Sequence, residues 1–287
     1  MRRLIVNADD LGLTPGVNHA IAEAHHSGAV TSATLMATGA AFDHALSVAR
    51  SLPRLGIGCH VVLLDGKPVL SDKAIPDLID AGSPDLFHPT LASFAQRAAT
   101  GRISAGQIEA EATAQIRKLQ EAGIAVSHLD THKHTHMLPQ VLRPLLRAAR
   151  ACGVRAVRNP FEPLRLSLLA GHKELWRQFT KVSLLSWLAG RFRAEVRRAE
   201  MLTCDGSIGI VTTGFLNQTL LNRLLDWLPD GTWELVCHPG YLDADLDRVH
   251  TRLRESRVTE LQILTSEQTR RLLVRNGIRL INYHDLG

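Results

Sequence analysis

The sequence predicts a parallel α/β fold, a distorted (β/α) TIM-like barrel with two insertions capping the C-terminal ends of its strands. Three observations carry this. Eight short runs (4–8, 31–36, 57–63, 125–129, 155–157, 208–212, 233–237 and 278–282) are nearly continuous in apolar residues, as parallel strands covered on both faces should be. Helical patterns separate most of them, and about eight such units in 287 residues suit a barrel better than an open sheet. Finally, the unusual polar residues fall where these runs end, which is where barrel enzymes assemble their sites.

Taken in order, Asp9 and Asp10 close the first run, and Thr14-Pro15 then opens a helix that Gly28 stops. His60 lies near the end of the third run. A stretch from about 65 to 101 breaks the rhythm before Ser104 and Gln107, spaced as a capping box, open a helix reaching about Ala122 and ended by Gly123. The fourth run leads into His128, Asp130, His132, His134 and His136, and Pro139 opens a helix that Gly153 closes. Arg158 ends the fifth run, a second irregular stretch covers about 160–204, and His238 ends the strand at 233–237. Each irregular stretch follows a strand, so both project from the same face. With no linker, repeat or low-complexity tract, residues 1–287 read as one domain.

Composition is that of an ordinary globular protein: 45% hydrophobic, 21% charged, mean hydropathy −0.01. No apolar run approaches the roughly 18 residues of a membrane span. The opening Met1-Arg2-Arg3 is followed by an apolar stretch that stops at Asn7, too short for a secretory signal, so a cytoplasmic location is expected. Cys59, Cys152, Cys204 and Cys237 show no Cys-x-x-Cys spacing and read as packing residues, not as a disulfide framework or a zinc site. The net charge of +5 is local: between Arg155 and Arg198 ten Lys/Arg face three Glu. Such a segment serves an anionic membrane surface, an acidic ligand or nucleic acid, or is a solvated helix face. The nucleic-acid reading is set aside, because Trp176, Phe179, Trp187 and Phe192 are spaced for a helix core and not for a stacking platform.

The chemistry concentrates in a few places. Adjacent carboxylates at Asp9 and Asp10 repel each other, and strand alternation points them differently; a divalent cation on one, with the other free as a base, resolves this. A solvated acidic turn or a helix cap is the plain alternative. In His128-Leu129-Asp130-Thr131-His132-Lys133-His134-Thr135-His136, alternate spacing places His132, His134 and His136 on one side if the backbone stays extended, a natural set of metal ligands. Taken singly, His128, His134 and His136 are expected in supporting or structural places. His60 reads either as a core histidine or as a ligand. His238, before Pro239-Gly240, is presented at its strand's edge, while Cys59 and Cys237 point to the opposite face.

Together these segments resemble the YdjC-type carbohydrate deacetylases, which include chitooligosaccharide deacetylase. The resemblance rests on Val6-Asn7-Ala8-Asp9-Asp10-Leu11-Gly12-Leu13, Val30-Thr31-Ser32-Ala33-Thr34, Gly58-Cys59-His60-Val61-Val62-Leu63, the histidine run from His128 through Pro139, and Cys237-His238-Pro239-Gly240. It implies removal of an acetyl group from an N-acetylated amino sugar and one divalent ion, magnesium or zinc. Asp10, His60 and His132 would be the ligands, Asp9 the base and His238 the acid. Arg158 would help hold the oxyanion, and Asp130 would orient a ligand imidazole. Further likeness at Gly66-Lys67-Pro68-Val69-Leu70, Ile75-Pro76-Asp77-Leu78 and Ala156–Pro163 points to the branch associated with hopanoid biosynthesis. That branch implies an N-acetylglucosaminyl lipid as substrate, with the basic segment on a membrane surface. Homodimer formation stays open. Two rivals stand beside this reading. Another metal-dependent barrel hydrolase or an isomerase, acting on a sugar or sugar phosphate, would release no acetate. A non-catalytic carbohydrate- or lipid-binding protein would have broken ligands.

Overall fold

The computed structural model describes residues 1–163, 166 and 171–286. At its centre runs β1 (Arg2–Leu11), buried throughout from Leu4 onward. A strand covered on both faces pairs along both edges. One edge of β1 carries β9 (Gly231–Cys237), parallel from Arg2 to Ala8. The other is shared by β10 (Ile278–Leu280), beside Arg2–Leu4, and β2 (Ser32–Leu35), beside Asn7–Leu11. The sheet continues through β3 (Gly56–Val61), β6 (His128–Thr131) and β7 (Ala156–Val157) on one side and β8 (Gly206–Ile208) on the other, in the order β7-β6-β3-β2-β1-β9-β8. All these pairings are parallel.

The sheet curls until its two ends meet. Leu202, just before β8, donates to Arg155 and accepts from Val157, at 2.8 and 2.9 Å, and Ser207 of β8 donates to Phe161 at 3.2 Å. Seven of the eight predicted runs overlap an observed strand by two residues or more; the sixth, 208–212, shares only Ile208 with β8. The sixth stops early, because Gly209 turns at φ 96° and the carboxylate of Glu162 takes the N–H groups of Gly209 and Val211. With those donors diverted, no ladder runs on to Thr212.

Crossover helices cover the outside: α1 (Pro15–His26), α2 (Phe42–Ser51), α4 (Ala105–Glu121), α5 (Pro139–Ala151), α8 (Gln218–Trp227), α9 (Glu255–Thr265) and α10 (Glu267–Arg275). The Thr14 hydroxyl caps α1, accepting from Val17 at 3.2 Å. The expected box at Ser104 and Gln107 does not form. Instead Asp77 accepts from the Ser104 amide (3.1 Å) and from Gln107 Nε2 (2.9 Å), since a carboxylate is the stronger acceptor for a helix N-terminus.

Both irregular stretches extend from strand C-termini. The first holds a two-stranded antiparallel hairpin, β4 (Ile79–Asp80) with β5 (Ser83–Phe87), and α3 (Leu91–Ala99). The second holds α6 (Trp176–Leu185) and α7 (Ala189–Arg198). Arg165, counted in the basic segment, lies outside the described residues. Trp176 and Trp187, expected in a helix core, are exposed at 51% and 73%, while Leu175, Val182 and Leu188 of the same segment are buried.

Candidate functional site

Asp9 and Asp10 sit in a bulge of β1, where the pairing register with β2 shifts between Ala8 and Leu11. Asp10 takes a left-handed conformation (φ 67°), which aspartate tolerates better than most residues. A bulge re-aims side chains, so simple strand alternation does not describe this pair. Asp9 turns to Arg158 and Asp10 to Arg257, yet both carboxylates stay at the same end of the sheet.

Across the sheet, register aligns His60 of β3 with Asp130 of β6, and His60 Nδ1 lies 2.7 Å from Asp130 Oδ1. Asp130 therefore holds the Nδ1 proton and leaves His60 Nε2 free for the site. Nε2 is 3.6 Å from Asp10 Oδ1 and 3.3 Å from His132 Nδ1, and the third side of this triangle, His132 Nδ1 to Asp10 Oδ1, is 3.7 Å. An ion about 2.0–2.2 Å from each of three such donors leaves them roughly 3.0–3.6 Å apart. The fit is close. Asp9, His60 and Asp130 form a second convergent group, but the Arg158 guanidinium and the Thr34 hydroxyl already occupy its oxygens.

The histidine run departs from the extended backbone expected of it. Residues His132–Met137 form a tight 3-10 turn, with Lys133 and His134 left-handed at φ 55° and 53°. His132, His134 and His136 therefore do not share a side. His132 faces the donor triangle. His136 Nδ1 pairs with the Thr131 hydroxyl at 2.6 Å, and its ring packs near Phe192. The buried His134 Nδ1 atom has no hydrogen-bond partner among the described residues. Lys133 pairs with Asp65, itself left-handed, tying the loop after β3 to the turn that carries His132. His128 is a core residue: its ring stacks on Tyr283 with centroids 3.6 Å apart, and Gly58 leaves it room, since a Cβ there would lie 2.5 Å from the ring.

Arg158 is fully buried and reaches three carboxylates. It holds both oxygens of Asp9 (2.6 and 2.8 Å), bonds Glu234 through Nε (2.8 Å) and pairs with Asp130. This places it beneath Asp9, with its donors committed to carboxylates. The expected role at an oxyanion does not suit that geometry. Arg257, 1% exposed on α9, bonds Asp10 Oδ2 at 2.5 Å. The carboxylates meeting these two guanidiniums are Asp9, Asp10, Asp130 and Glu234, so the cluster is short of two positive charges, those of one divalent ion.

The electrostatics agree. Burial works to raise Asp9 and Asp10, but Arg158 beside the first, and Arg257 with His132 beside the second, hold both below the usual carboxylate range. Burial opposes charge on His60, yet Asp130 and the two aspartates outweigh it and lift its pKa to about 9: the pocket recruits a cation even as a proton. His238 goes the other way, lowered to about 4 by burial. Its amide donates to Glu260 at 2.5 Å, and its Nε2 stands 3.8 Å from Asp9 Oδ2.

Sequence reasoning missed Arg257, Glu234, Glu260 and Tyr283. Glu234 carried a readable signal, a lone acid inside an apolar strand that demands a buried cation. Arg257 had none, being one of several arginines near its helix.

Burial also lowers His134, to about 3, and His128 and His136, well below 6.5. With His238, four imidazoles stay neutral in the fold but take protons in the unfolded chain below about pH 6.5. Their contribution to stability therefore falls as pH drops from 6.5 toward 4.5, and buried Glu162 and Glu260, raised to about 7, offset part of that loss by taking protons first in the fold. His128→Phe, which keeps a ring on Tyr283, should make that slope shallower by about one proton, about 1.4 kcal/mol per pH unit. The check is the thermal midpoint followed against pH; an unchanged slope would show that His128 titrates normally.

Comparison with known proteins gives a consistent picture. A carbohydrate deacetylase of Brevibacillus brevis is 32% identical over 99% of this chain and 100% of its own. A chitooligosaccharide deacetylase of Serratia marcescens is 31% identical over 99% and 98%. A solved structure from Enterococcus faecalis V583, named for cellobiose-phosphate cleavage, superimposes with a TM-score of 0.77 at 27% identity, covering 98% of this chain and 97% of that one. The profile described as YdjC-like protein matches residues 3–275, a span that takes in the strands up to β9 and Asp9 through Arg257. On that match and on relatives aligned end to end, the chain belongs to the YdjC-like family.

Proposed function

We propose that the protein is a metal-dependent carbohydrate N-deacetylase acting on an N-acetylated amino sugar, borne on an oligosaccharide or a glycolipid. The observation that carries the reading is the triangle of Asp10, His60 and His132 donor atoms beside the buried, Arg158-clamped Asp9. The names of the relatives support the same chemistry.

Asp10, His60 and His132 would hold one divalent ion, zinc or magnesium, and two imidazoles with one carboxylate favour zinc. When bound there, the ion supplies Lewis acidity to an amide carbonyl and acidifies a neighbouring water. The protein's own residues do the rest. Arg158 fixes both oxygens of Asp9, so the base is ionised and cannot swing away. Asp9 takes the proton of the attacking water. His238 rests neutral, so the proton it delivers to the leaving amine is one received during the cycle, and Asp9 Oδ2 at 3.8 Å is its nearest source. Glu260 aims His238 by accepting its backbone amide.

The test is acetate release from N-acetylglucosamine, chitobiose and an N-acetylglucosaminyl lipid, with the metal stripped by a chelator and then restored as Mg²⁺ or Zn²⁺. Stripping should lower the rate by about 10²-fold or more, and one ion should restore it. Full activity in chelator, or no acetate from any substrate, overturns the reading. No described helix is long and apolar enough to cross a membrane, and a cytoplasmic location remains part of the proposal.

A further inference from the structure

The segment between β7 and β8 carries features the catalytic reading does not use. Along α6, α7 and the short turns beside α6, Leu175, Val182, Leu188, Phe192 and Val196 are buried. The opposite face shows Trp176, Leu184 and Trp187, exposed at 51%, 74% and 73%. Among large apolar side chains such exposure is costly unless something covers it. Lys173, Arg177 and Lys181, at i,i+4 spacing, share the side of Trp176 and Leu184, and Arg191 and Arg193 follow on α7, all exposed. None of these five forms an ion pair among the described residues, whereas Glu195 is already taken by Arg143 and Arg198. The face therefore combines tryptophan and leucine with unpaired cations.

We infer that this face docks on an anionic lipid surface. Tryptophan and leucine flanked by lysine and arginine match the two attractions of a bilayer interface, apolar insertion at the headgroup boundary and Coulomb attraction to acidic lipid. A protein partner fits less well, because lysine is depleted at interface cores. The segment also packs against the site-bearing end of the sheet. Phe179 and Val182 lie on Ile210, Val211 and Val236, Gln178 bonds the Thr213 carbonyl at 3.0 Å, and Phe192 lies beside His136. Docking there would set the bilayer beside the segment that packs on this end of the sheet, the end that carries Asp9, Asp10 and His60. The inference holds independently of the activity proposed above.

The experiment is flotation of the full chain with phosphatidylcholine vesicles, neutral or carrying about 30% phosphatidylglycerol. Binding should need the anionic lipid and weaken at least about tenfold between about 0.05 and 0.5 M salt. Leu184→Ser with Trp187→Ser, and separately Lys181→Glu with Arg191→Glu, should each weaken partitioning by about tenfold or more. These positions are exposed, so thermal midpoints should stay near the parent's and loss of binding cannot be misread as unfolding. Equal partitioning onto neutral vesicles, or full binding by either double variant, overturns the inference. So does a dimer in light scattering that Trp187→Ser dissolves in a protein that ignores vesicles, which would show that a second copy covers the face.

Discussion

Asp9→Asn should leave the bound metal in place and lower acetate release by about 10²-fold or more. The expectation follows from a division of labour between adjacent residues. The bulge in β1 sends Asp10 Oδ1 toward His60 and His132, within 3.6 and 3.7 Å, and gives both oxygens of Asp9 to Arg158. The asparagine side chain has nearly the same size but one acceptor oxygen and no negative charge, so it cannot take a proton from water. Metal content by elemental analysis and single-turnover acetate release separate the two effects. Loss of the ion, with turnover restored by excess metal, would instead make Asp9 a ligand and reverse the roles of the two aspartates.

The largest effect on folding is expected at Arg158. Arg158→Met keeps much of the side chain's volume but strips Asp9, Asp130 and Glu234 of their common cation in a site with no solvent exposure. Breaking one partner out of a buried ion cluster costs about 3–5 kcal/mol, because the remaining charges cannot reach water. For a chain of this size that lowers the thermal midpoint by about 10 °C. Glu234→Gln added to Arg158→Met should recover part of the loss, since one orphaned carboxylate goes, and the two changes should be plainly non-additive. Arg158→Met melting within about 2 °C of the parent would show that the carboxylates are protonated or hydrated and do not depend on Arg158. The two experiments bear on one another: Arg158→Met should also slow turnover, because an unclamped Asp9 loses both its position and its depressed proton affinity.

The donor set itself was legible because a parallel sheet collects its strand C-termini at one end. Asp10, His60 and His132 lie 50 and 72 residues apart in sequence, yet each stands at or just beyond the end of an apolar run read as a strand, so the fold class alone sends them to one face. What each histidine does after arriving was not legible. His132 and His134 differ by a tight turn with two left-handed residues, and nothing in the alternation of the run announces that turn. The basic segment likewise carried its charge in plain view. That its tryptophans face outward depends on which side of α6 the sheet covers.

By itself, the sequence determined the parallel α/β class, most strands of the main sheet, and the acidic and imidazole groups available at their ends, because burial pattern and strand polarity are local properties of the chain. Only the tertiary structure decided the pairings that make a site of them: Arg158 beneath Asp9, Arg257 on Asp10, Asp130 behind His60. The physical reason is that a buried charge is settled by whichever opposite charge shares its cavity. That neighbour can stand, as Arg257 does from Asp10, 247 residues away.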